Sequence, residues 1–151
     1  MPRIRQLKTA RGVLETDKRR KAQTLAASER TVHESEAKLT ELGRYRDAYV
    51  RDFALRAGGG MSAARARDYQ AFLARLDEAL HEQTEIVARA RAAAAELLAK
   101  WSGAARRSAA VDRALQRGLS EEQRRLERRE QVDADDRAQG RWSSGGTRGV
   151  R

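Results

Sequence analysis

The chain has 151 residues, a net charge of +10, 36% charged residues and no cysteine. Its 28 alanines outnumber Leu, Ile, Val and Phe taken together, 25 in all, too few large apolar side chains to fill a two-layer globular core. Disulfides, thiolate zinc sites and a cysteine nucleophile are excluded, and no apolar run approaches the ~18 residues that would cross a membrane.

The start, Met1 to Gln6, runs into charge with no apolar segment, so no secretory signal is expected. Residues 1–3 read as a short N-terminal extension and residues 4–56 as a first helix. The single proline, Pro2, precedes it. Steps of three and four residues run through Ile4, Leu7, Arg11, Leu14, Lys18, Lys21, Leu25, Ser28, Val32, Ser35, Leu39, Leu42, Arg46, Tyr49 and Phe53. That is a narrow coiled-coil seam, with Val13, Val50 and Leu55 off it.

Residues 57–61 hold Gly58-Gly59-Gly60 and read as a turn; Ser62 is placed to cap the helix that follows. This second helix spans 62–139. Its seam runs through Tyr69, Leu73, Leu76, Leu80, Gln83, Val87, Ala90, Ala94, Leu97, Trp101, Ala104, Ser108, Val111 and Leu115. The expected fold class is therefore all-α: a long antiparallel two-helix coiled-coil hairpin with a longer second helix. With the turn centred near Gly59, Tyr49 faces Tyr69, Leu42 faces Leu76, Leu14 faces Ala104 and Leu7 faces Val111. From about residue 119 the second helix overhangs the first with no apolar face to bury within the chain, which points to a partner. Residues 140–151, rich in Gly, Ser and Arg, read as a disordered tail. They resemble Arg/Gly nucleic-acid segments only weakly.

Residues 1–22 hold 8 basic and 2 acidic side chains, residues 23–100 hold 12 and 12, and residues 101–151 hold 12 and 8. In a hairpin the surplus collects at the end that carries both termini, where it would attract nucleic acid, anionic lipid or an acidic protein surface.

No active site is visible, and no cofactor, metal or small-molecule substrate is expected. His33-Glu34 opens like a metalloprotease helix, but Ala37 stands where the second histidine belongs. Glu78-x-x-His81 has the spacing of a di-iron ligand pair without the second copy such a centre needs. The glycine run is followed by Met61-Ser62 and no lysine, so it is no phosphate loop. The aromatics are more informative. Tyr45, Tyr49, Phe53, Tyr69 and Phe72 all lie near the turn, and Tyr45 and Phe72 fall off the heptad positions. They form either a docking patch or a widened core.

Three stretches carry a family resemblance: Leu39-Thr40-Glu41-Leu42-Gly43-Arg44-Tyr45-Arg46-Asp47-Ala48-Tyr49, then Tyr69-Gln70-Ala71-Phe72-Leu73-Ala74-Arg75-Leu76-Asp77-Glu78-Ala79, then Glu127-Arg128-Arg129-Glu130-Gln131 with Asp135-Asp136. With the two-helix layout, the chain resembles the FliJ family, the coiled-coil component of the bacterial flagellar type III export apparatus. The resemblance implies a non-enzymatic protein of the bacterial cytoplasm, peripheral to the inner membrane. It implies a stalk whose two-termini end enters the hexameric export ATPase, here through Arg3, Arg5, Leu7, Arg11, Leu14, Arg117, Leu119, Arg124, Arg125, Leu126, Arg128 and Arg129. It implies docking on the export-gate cytoplasmic domain through Leu42, Tyr45, Tyr49, Phe72, Leu76 and Ala79, and the handling of export chaperones. Two alternatives stand beside it: the equivalent stalk of a virulence injectisome, and a basic coiled coil that binds nucleic acid.

Overall fold

The computed structural model describes residues 2–145. Two helices account for nearly all of them: α1 (Pro2–Gly58) and α2 (Ala63–Gly145), packed against each other as a hairpin. Pro2 sits at the first position of α1, where its missing N–H costs no helical hydrogen bond, and no other proline interrupts either element. The turn is built by its glycines. The N–H of Gly59 donates to the Arg56 carbonyl at 3.2 Å and that of Gly60 to the Ala57 carbonyl at 3.3 Å. Gly60 takes φ of 90°, a backbone region that disfavours any Cβ. Ser62 caps α2 as expected: its hydroxyl accepts from the Arg65 N–H at 3.2 Å.

The boundaries differ from the sequence reading at three points. α1 begins at Pro2 instead of Ile4, α1 reaches Gly58 and α2 starts at Ala63, and α2 runs six residues past Gln139. The last difference has a simple cause. No proline follows, and Gly140, Ser143 and Ser144 each cost a helix only about 1 kcal/mol or less. Residues 146–151 of the expected tail lie outside the described residues.

The chain divides into two compact units. In the unit of residues 17–104, every seam position named from the sequence is at least partly buried, and Leu76, Gln83, Val87 and Ala104 are fully so. The helices run antiparallel, with the Tyr49 and Tyr69 rings 4.9 Å apart and the Gln83 amide donating to the Ser35 carbonyl at 3.0 Å. Glu36 meets Arg91 and Arg46 meets Asp77 across the same interface. Off the seam, Leu55 is 79% exposed.

In the unit formed by residues 1–16 and 105–151, Ile4, Leu7 and Leu14 are partly buried, while Ser108 and Leu115 are fully buried. Arg11, a seam position by spacing, is exposed and instead reaches Asp112, Nε to Oδ1 3.0 Å. The register here departs from expectation. Leu7 lies with Ala114 and Gly118, not opposite Val111, and the Ile4 side chain lies 3.7 Å from where a Cβ on Gly118 would stand.

Candidate functional site

Near the turn, five rings form one cluster. Phe72 packs against Tyr49 with ring centroids 4.7 Å apart and against Tyr45 edge-on at 6.3 Å. Tyr45 stacks on Tyr49 at 6.5 Å, and Tyr69 bridges Tyr49 at 4.9 Å and Phe53 at 5.2 Å. Such tilted and edge-on contacts add roughly 0.5–1.5 kcal/mol each beyond area burial. The widened-core reading holds for four of the five rings. Tyr49, Phe53, Tyr69 and Phe72 thicken the interface, whereas Tyr45 remains 54% exposed. Of the remaining candidate docking residues, Leu42 and Ala79 are partly buried, and Leu76 belongs to the core.

A polar network borders these rings, and spacing along one helix could not reveal it. Asp52 accepts from the Tyr69 hydroxyl at 2.9 Å and from Arg56 Nε at 3.2 Å. The hydrogen bond from Tyr69, then that from Arg56, holds the Asp52 carboxyl below the usual carboxylate range. The same bond, with partial burial, raises the Tyr69 phenol, while burial leads in raising Tyr49. Arg46 is raised by its hydrogen bond and ion pair with Asp77. The bond to Asp52 holds the Tyr69 hydroxyl while its ring lies against those of Tyr49 and Phe53.

The second candidate region lies in the unit that holds the start of α1. Arg3, Ile4 and Leu7 of α1 share a shallow groove with Ala114, Arg117, Gly118, Glu121, Glu122 and Arg125 of α2. So four of the predicted basic-end residues, Arg3, Leu7, Arg117 and Arg125, are brought together, and the beginning of α1 covers α2 past residue 119. From Gln123 to Trp142 every side chain of α2 is exposed, including Arg124, Leu126, Arg128, Arg129 and Val132. Arg5 and Leu119 are exposed as well, and Leu14 is partly buried. Glu15, which accepts from the Ser108 hydroxyl at 3.0 Å, and Asp112 were hidden in the net charge count; pairing them required the register.

The two histidines are exposed, with His33 Nδ1 4.0 Å from a Glu36 carboxylate oxygen and His81 Nε2 3.5 Å from one of Glu85. Among the described residues no group of three His, Asp or Glu side chains could hold a metal, and no helix is long and apolar enough to cross a membrane.

A family model described as flagellar FliJ protein matches residues 4–147. No curated protein and no solved structure matches.

Proposed function

Because the chain belongs to the flagellar FliJ protein family and is thereby a component of flagellar type III export, we propose that it works as a non-enzymatic stalk between the export ATPase and the export gate. The α2 extension with the start of α1 would enter the pore of the hexameric ATPase through Arg3, Arg5, Leu7, Arg11, Leu14, Arg117, Leu119, Arg124, Arg125, Leu126, Arg128 and Arg129. The aromatic cluster would dock on the gate's cytoplasmic domain, with Tyr45 as the accessible ring and Leu42, Tyr49, Phe72, Leu76 and Ala79 behind it. Export chaperones are the third partner, and the working place is the cytoplasmic face of the inner membrane.

The observation that carries this reading is the stretch from Gln123 to Trp142, some twenty residues of helix whose side chains are all exposed. An isolated helix of that length is marginal in water, so a partner that encloses it would supply the missing contacts. Coupling two machines calls for stiffness and two separate contact surfaces, not for catalytic groups.

The test is an ATPase assay with the cognate hexamer. The full chain is expected to raise the hydrolysis rate, and a chain lacking residues 119–139 is expected to leave it at the basal level. No stimulation by the full chain would overturn the stalk reading.

A further inference from the structure

The α2 extension carries a charge order that its exposure alone does not explain. Residues 124–129 contain Arg124, Arg125, Arg128 and Arg129 against Glu127; residues 130–136 contain Glu130, Asp133, Asp135 and Asp136 and no basic residue. Among the described residues, Arg124, Arg128 and Arg129 form no side-chain ion pair with the second block. Arg137, just beyond, turns its Nε to the Asp133 carbonyl instead of a carboxylate. Leu126 and Val132 stand exposed within the two blocks, and both line one groove with Glu121, Arg128 and Arg129.

We propose that this extension is a self-association surface whose occupant is a second copy of the same chain, docked antiparallel. The charge order selects both the partner and the direction. Two copies laid parallel would set four arginines against four arginines and four carboxylates against four carboxylates. Laid antiparallel about an axis near Glu130, each basic block faces the other copy's acidic block, as in charge-specified coiled coils. Leu126 of each copy then comes within about one helical turn of Val132 on the other, and the arginine stems cover the apolar seam between them. With so few apolar side chains the pair is weak and reversible, so charge complementarity dominates it. The surface overlaps the one assigned above to the ATPase, so self-association and ring entry exclude each other. The inference does not rest on the stalk reading.

Sedimentation velocity of the full chain, from about 1 to about 100 μM, measures it directly. A monomer–dimer equilibrium is expected, and it should weaken at least several-fold between about 50 mM and about 300 mM salt. Two charge variants locate the interface. One carries Arg124→Glu, Arg128→Glu and Arg129→Glu; the other carries Asp133→Arg, Asp135→Arg and Asp136→Arg. Each alone should be monomeric with unchanged helicity, and an equimolar mixture should recover a heterodimer. A wild-type chain monomeric throughout the range overturns the proposal. So does a dimer that persists in each variant alone, and so does one that disappears on nuclease treatment, which would make nucleic acid the occupant.

Discussion

Asp52 accepts from two donors at once, the Tyr69 hydroxyl and Arg56 Nε, and this double anchorage ties packing near the turn to an ionisation. Its carboxyl is held below the usual range, so the folded state favours the charged form. The resulting stability is complete above the unfolded carboxylate value and is lost as pH falls through the lowered folded value. Thermal midpoints measured from about pH 5 to about pH 3 should fall for the wild type, and Asp52→Asn should flatten that slope. If the slope is unchanged in the variant, the anchorage does not contribute. At this scale the sequence was least readable. Tyr45 and Phe72 both lie off the heptad positions, yet Phe72 packs against two tyrosines while Tyr45 faces outward. Side-chain direction on a helix depends on rotamer and on the facing register, neither of which spacing along one helix contains.

The helices themselves were legible because a seam repeated over many heptads leaves little choice of period. The steps of three and four named the partly buried face of α1 from Ile4 to Phe53, with Arg11 as the exposed position. Arg11 departs because its long side chain can leave the seam and reach Asp112. Boundaries were harder, since glycine and serine weaken a helix without ending it. Glycines at different places therefore predict opposite responses. Gly43 lies inside α1 with open space where a Cβ would stand, so Gly43→Ala should stabilise by about 0.5–1 kcal/mol through the unfolded chain's lost freedom. Gly60 sits at φ of 90°, and Gly60→Ala should destabilise by about 1 kcal/mol or more. Urea midpoints of the two variants, shifted to opposite sides of the wild type, check both.

For the molecule as a whole, the charge count translated well and the pairing did not. The segments 1–16 and 105–151 hold sixteen Lys and Arg against nine Asp and Glu, and they form one unit, as the hairpin reading required. Which residues face each other depends on the facing register, which a count of charges along the chain does not contain. A net charge of +10 on helices with few apolar contacts also sets the salt response. Exposed ion pairs contribute little, whereas self-repulsion acts over a Debye length, so repulsion governs. The thermal midpoint should rise between about 0.05 M and about 0.3 M sodium chloride. A fall would show that ion pairs outweigh the repulsion.

Within residues 17–104, Gln83 on the Ser35 carbonyl, Arg91 on Glu36 and Arg46 on Asp77 join the helices at three levels. A slip of seven residues, roughly 10 Å along the axis, would bring leucines and alanines back onto the seam at little cost. The same slip would part Arg91 from Glu36 and Arg46 from Asp77, and would draw the Tyr49 ring away from Tyr69 and Phe72. Resistance to shear in this segment thus resides in interlocking rings and polar contacts together, which act as latches between the helices. A load drawn along one helix is handed to the other at those latches, and the two bear it as a single strut.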